Sequence, residues 1–424
     1  MTSIDRFERE LPAALGDVAG ARPPDYLVNV LGRTARTRQR PAWASIGRWL
    51  PMDLASSRVT TARFPWRTVG VLALVALLLA ALLAVNAGSQ RRVPAPYGPA
   101  VNGLIPFERD GDILVGDPDT GETRLLSGGS ANDYLPMFSP DGTRVAFLRA
   151  GADCPAPGDD CPGGELVVVA GADGSGLEAI SPAPIVGIGA ITWAADSRSL
   201  YLGRGEEILR LPIDGSGPTV LRSDAQVDWI VPRPPAGDEL LVRGFVDGVF
   251  GLHRMKADGS DAELLVEATF SGFDDNQDLN FPAYSPDGAT IYHNRSNRGT
   301  IEAWAMDADG SNARRFNVDA PVAGWWEGEM APSPDGRWVA MWRVAPGMPG
   351  RITVYPADGT GEGVEGPFIA GTAHWAWAPD SSRILVNYNN PDEGDQVLLD
   401  PRTGKVTPLP WAADAEPDWQ RLAP

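Results

Sequence analysis

Five carboxylates, Asp133, Asp228, Asp278, Glu329 and Asp418, recur beside short apolar runs between residues 103 and 424 of a 424-residue chain. Gathered in one concave site, they would focus negative potential and favour a cation or a basic partner. The same groups could equally accept hydrogen bonds from neighbouring turns or remain solvated. Paired carboxylates also do acid–base work at glycosidic bonds, so a lyase or glycosidase is the enzymatic reading they allow. The alternation Asp274, Asn276, Asp278, Asn280 offers oxygen ligands like the start of a calcium loop. It lacks the turn glycine and the distal Glu, which leaves Ca2+ as the sole cofactor candidate. Trp325 and Trp326 fall in a loop and join the ligand-binding candidates.

Other catalytic chemistry finds little support. No Gly-x-Ser-x-Gly elbow occurs, and the three histidines, His253, His293 and His374, are scattered along the chain. His253 and His293 fall within strand patterns and His374 just before one, so all three are assigned structural roles. Trp193, Trp375, Trp377 and Trp419 belong to the strand pattern and are expected to pack in the core. The chain therefore reads as a non-enzymatic binding protein.

The elements that must position these groups come from a repeated phrase. It runs Phe138-Ser-Pro-Asp-Gly142, Trp193-Ala-Ala-Asp-Ser197, Arg233-Pro-Pro-Ala-Gly237, Tyr284-Ser-Pro-Asp-Gly288, Pro332-Ser-Pro-Asp-Gly336 and Trp377-Ala-Pro-Asp-Ser381, each followed by an apolar strand. A second set of turns, including Asp173-Gly174, Asp258-Gly259 and Asp309-Gly310, marks a second hairpin in each unit. A repeat of roughly fifty residues with two hairpins predicts an all-β propeller. Seven blades are expected if the terminal Asp418-Trp-Gln-Arg421 supplies the inner strand that the first unit lacks; six is the alternative. The phrases Phe138-Ser-Pro-Asp-Gly-Thr-Arg-Val-Ala-Phe147 and Trp304-Ala-Met-Asp-Ala-Asp-Gly-Ser-Asn312 resemble the repeat of the TolB-like propeller family over residues 103–424. That resemblance implies the fold and leaves activity open. The turns should share one face of the ring and the variable loops the other, where a protein or envelope ligand would bind.

Ahead of the propeller, Val69 to Val85 contains only Val, Gly, Leu and Ala, nearly enough to cross a bilayer as a helix. The expected organisation is a cytoplasmic tail (1–67) with two short amphipathic helices, a transmembrane helix (68–88), a linker (89–102) and the propeller (103–424). A cleaved signal peptide fits less well because so long a segment precedes the apolar run. Arg48, Arg58, Arg63 and Arg67 against Arg91 and Arg92 place the tail in the cytoplasm and the propeller outside. Cys154 and Cys161, close together in one loop of the exported part, are expected to form a disulfide. Residues 1–67 hold 11 arginines and six acids, so a net charge of -19 leaves the rest at -24. That excludes a nucleic-acid role for the propeller. The layout resembles that of anti-sigma factors, which makes a one-pass transducer, with a cytoplasmic regulator docked on residues 1–67, the alternative function.

Overall fold

The computed structural model describes residues 94–150, 163–269, 279, 281–297, 300–316, 326–345, 347–369, 373–388, 396–411 and 416–424. The expected tail, the membrane helix, Cys154, Cys161, Asp274, Asn276, Asp278, Asn280 and Trp325 lie outside these residues, as does the side chain of Trp326. Among the described residues every regular element is a strand, and no helix is long and apolar enough to cross a membrane.

The repeat folds because each phrase is a self-bonded turn. Ser139 Oγ donates to Asp141 Oδ1 at 2.6 Å, and the same oxygen accepts the Thr143 N–H at 3.0 Å. Ser285–Asp287 and Ser333–Asp335 repeat the first bond at 2.6 Å. Gly is required in two of these turns by close approach as well as by positive φ. A Cβ on Gly142 (φ 67°) would stand 1.9 Å from the Arg421 carbonyl oxygen, and one on Gly288 (φ 69°) 2.0 Å from that of Pro234.

Each turn launches an antiparallel meander. The second unit is representative: Asp133–Phe138, Arg144–Ala150, Glu165–Gly171 and Glu178–Ala179 pair in that order. Units starting at Ile188, Ala225, Ala283, Trp326 and Ala373 repeat it. The fifth and sixth are joined by one parallel pair, Ile301 with Trp326. The first unit contributes three strands, Ile105–Arg109, Asp112–Gly116 and Thr123–Ser127. Its inner strand arrives from the other end of the chain. Arg421–Leu422 pairs with Val101–Asn102, Gly103 N–H donates to the Gln420 carbonyl at 2.9 Å, and Gln420 N–H donates to the Leu104 carbonyl at 2.8 Å. The ring therefore closes with seven blades.

Both faces of every blade are covered by a neighbour, which is why middle strands such as Glu165–Gly171 (ELVVVAG) read as continuous apolar runs rather than alternating ones. The buried side chains fall into seven clusters, one for each blade-to-blade contact. Phe107 and Trp411, stacked at 5.4 Å, and Trp419 belong to the cluster between the last and first blades. Residues 94–102 cross the turn face. Tyr97 Oη donates to Pro232 O at 3.3 Å, Arg421 Nη2 donates to Ala95 O and Gly98 O at 3.1 and 2.6 Å, and Ala100 N–H donates to Pro379 O at 3.0 Å.

One buried amide adds to this closure. Gln420 accepts the Leu104 N–H at Oε1 (3.1 Å) and donates from Nε2 to Gly142 O (2.7 Å), tying the closing strand to the second blade. Gln420→Ala should cost about 1–3 kcal/mol and lower the thermal midpoint by several degrees in circular dichroism. An unchanged midpoint would show that this amide contributes nothing to closure.

Candidate functional site

A single hydrogen bond aligns the seven blades. The N–H of Ser139, Ala194, Arg233, Ser285, Ser333, Ala378 and Gln420 donates to the carbonyl of Arg144, Ser199, Glu239, Thr290, Trp338, Arg383 and Leu104, at 2.8–2.9 Å throughout. The residue four positions before each donor is Leu135, Ala190, Trp229, Phe281, Glu329, His374 and Glu416. All seven line one cavity of about 430 Å³ in the mouth of the central channel, within the ~300–1,000 Å³ usual for small-molecule sites. The inner strands carry a one-residue bulge at this level, between Tyr134 and Met137 and between Glu327 and Met330, and such bulges re-aim side chains. Leu135 (φ 55°) and Phe281 (φ 48°) take up the left-handed backbone that results.

The ring is divided into two sectors. Blades two to five present Leu135, Ala190, Trp229 and Phe281, with Met137, Ile188, Ile191 and Ile230 beside them. The sixth blade, the seventh and the closing strand present Glu329, His374 and Glu416. His374 Nδ1 lies 3.2 Å from Glu416 Oε2. This contact is the first cause raising the imidazole above its ordinary pKa, with the charge of Glu329 adding to it and partial burial opposing. Burial pushes the Glu329 carboxyl up to about 8; His374 lowers it and Glu416 raises it further. At neutral pH the trio thus holds a protonated carboxyl beside an imidazole in contact with a carboxylate.

The residues expected from sequence are distributed differently. Asp228 and Glu329 line the cavity, but Asp228 is clamped by Arg243, whose Nε donates at 2.8 Å and whose Nη2 makes a second, shorter bond. Asp133 turns away from the channel. It is buried against Arg149, which donates at 2.7 and 2.8 Å, and Ser127 Oγ donates to it at 2.6 Å. Asp418 precedes the strand Arg421–Leu422, as expected, but is not among the residues lining the cavity; it accepts the Phe138 N–H at 2.5 Å, its carboxyl raised to about 6 by burial. Asp278 and Trp325 are outside the described residues. The loop placement of Trp326 is corrected: its backbone begins the sixth blade's inner strand. Sequence reasoning missed Glu416 and assigned His374 a structural role. Their signal was a fixed offset from the repeated turn, whereas the carboxylates were sought at strand starts. Among the described residues no group of three or more His, Cys, Asp or Glu is placed to hold a metal ion.

No family model matches the chain. An uncharacterized protein of Agrobacterium fabrum is 30% identical over 129 residues, 30% of this chain, and the chain spans about 40% of the length of that curated relative. Among solved structures, the chain is similar to a periplasmic gluconolactonase of Pseudomonas aeruginosa (TM-score 0.53, 17% identity, 76% of this chain and 98% of that one). It is also similar to an oligogalacturonate lyase of Vibrio parahaemolyticus (TM-score 0.52, 13% identity, 74% and 86%). TolB of Acinetobacter baumannii matches at TM-score 0.46 and 13% identity, over 74% and 81%. These identities show the fold alone. Enzymes share that fold, so the expectation of a non-enzymatic chain does not stand. The three histidines do lie on different blades, and one of them, His374, meets Glu416 in the cavity.

The raised carboxyl fixes a pH dependence. The folded state holds the Glu329 proton more tightly than the unfolded chain, so stability is full below the unfolded value of 4.5 and falls as pH rises through about 8. Asp418 and His374 carry the same sign. Glu329→Gln should flatten the fall above pH ~6 and melt above the wild type at pH ~9. Parallel melting curves for the two proteins would show that Glu329 ionises normally.

Proposed function

We propose that the channel mouth is an acid–base site that cleaves a C–O bond in a small organic molecule. One observation carries this reading: equivalent positions on adjacent blades place a partly buried carboxyl, Glu329, on one cavity wall with an imidazole held by a carboxylate, His374 with Glu416. Protonated Glu329 is the acid and gives its proton to the departing oxygen. His374, oriented by Glu416 and made more basic by it, takes a proton from the substrate carbon in an elimination or from water in a hydrolysis. The two proton transfers balance, and bulk water resets both groups. The pairing needs carboxyls whose environments differ, and the ring supplies them: Glu416 is half-exposed beside His374, whereas Glu329 is partly buried, with burial the first cause raising its carboxyl.

The fold is shared with the gluconolactonase and the oligogalacturonate lyase named above, which supports cleavage of this type as chemistry a propeller channel can host. The apolar run Val69–Val85 and the arginine bias support the further reading that residues 68–88 tether the propeller to the outer face of a membrane.

The test is a panel of lactones, uronides, aryl glycosides and esters, assayed across pH with the wild type, His374→Ala and Glu329→Gln. Turnover is expected to fall by roughly 10²–10⁴-fold in either variant, and the alkaline limb of the wild-type profile should lie near 8, the value set by Glu329. Wild-type turnover that survives both substitutions would overturn the assignment of roles. A complete absence of turnover over the panel would overturn the enzymatic reading.

A further inference from the structure

Building on that reading, we infer that the substrate is an uncharged amphiphile, with one polar, cleavable group on an apolar aliphatic or aromatic body, rather than a polyol or a uronate. The argument is the division of the channel wall. A sugar exposes hydroxyls around its whole rim and needs partners around the whole ring, yet four consecutive blades offer Leu135, Ala190, Trp229 and Phe281 at the equivalent positions. Apart from Thr192 and the Arg243-clamped Asp228, this sector offers no partner to a hydroxyl, and most of a sugar's hydroxyls would be desolvated there without replacement hydrogen bonds. Ile188 and Ile191 extend the apolar wall, and Trp229 and Phe281 meet edge to face at 5.0 Å. The Trp229 indole N–H is already spent on Pro282 O at 3.1 Å, so this sector offers its rings as contact area.

Charge excludes the uronate. No Arg or Lys is among the described residues lining the cavity. The nearest guanidinium described there, that of Arg243, is engaged with Asp228. Among the described residues of the wall, the only group that can carry positive charge is His374 when protonated, already facing Glu416. A carboxylate ligand would therefore enter beside Glu416 and Asp228 with no free counter-charge among the described residues.

The polar sector is narrow and suits one group. Besides Glu329 and His374 it includes Trp375, which lines the cavity, is 6% exposed, and has an indole N–H with no partner. Trp193, on the third blade's inner strand, and Trp377, on the same strand as Trp375, donate theirs to Met137 O and Ala331 O. A carbonyl or ether oxygen docked between Glu329 and His374 would bring an acceptor to this sector while its apolar body lies across the channel. The strap at Tyr97 crosses the opposite end, so the apolar body must come to rest within the cavity.

The experiment uses the full chain, a series of lactones with lengthening alkyl substituents, gluconolactone and galacturonate. Binding is read by tryptophan fluorescence and cleavage by acid release. Affinity should rise about threefold to fourfold per added methylene until the cavity is filled, and neither gluconolactone nor galacturonate should saturate. Phe281→Ala should remove most of that gain with its melting point checked; Leu135→Gln serves if Phe281→Ala does not fold. Saturable binding of gluconolactone or galacturonate with no gain along the alkyl series would overturn this inference and leave the acid–base site standing. Binding that strengthens with chain length without cleavage, unaltered by Glu329→Gln, would support the ligand class and overturn the proposed catalysis.

Discussion

Everything in this protein depends on apolar contact between the faces of neighbouring sheets. There is no central core: the axis is a channel, and the buried residues divide into seven clusters that each bridge two blades. A four-stranded sheet with two apolar faces has no stable existence alone, so each blade is held by the next and the last must meet the first. That constraint explains the strand composition, the glycines where a neighbouring backbone presses on a turn, and the use of the chain's last residues to complete its first blade.

The ring also decides what each carboxyl becomes. Asp133, Asp228 and Glu327 all sit on inner strands near an arginine of the adjacent strand: Arg149, Arg243 and Arg343. In the first two pairs, close paired contacts make the acid a clamp at the head of its blade. Glu329 lies two residues along from Glu327 on the sixth inner strand, where the bulge turns it toward the axis and its charged neighbours are His374 and Glu416. A carboxyl on an inner strand is thus a brace where a guanidinium grips it, and at Glu329, where His374 and Glu416 are the charged neighbours, a cavity-lining acid with a raised pKa.

The architecture was largely legible in the sequence because turns are local. Ser-Pro-Asp-Gly bonds to itself, and counting such turns yields the blades, the missing inner strand and the terminal segment that replaces it. The site was less legible because it is assembled from positions nearly a blade apart in sequence and fixed by offset from the turn. Bulges in the inner strands and an extra residue in the turn after Arg233, whose N–H reaches Glu239 rather than a residue five positions on, blur that offset. Asp133 looked like a channel residue and became a brace. His374 looked structural because its partner, Glu416, arrives from the closing segment.

The closing strand has a consequence for how such a protein comes into being. Vectorial synthesis delivers six and three-quarter blades before the final inner strand exists, and until then the first and last sheets expose the faces that carry Phe107, Trp411 and Leu398. Glu416 is carried by that same last segment, immediately before Trp419 and Gln420 enter the first blade. The orienting carboxylate of the His374 pair is therefore the last part of the site to be made. A chain cut short before this segment would lack the ring's latch and Glu416 together, so that the strand closing the fold and this part of the cavity wall are made in the same step.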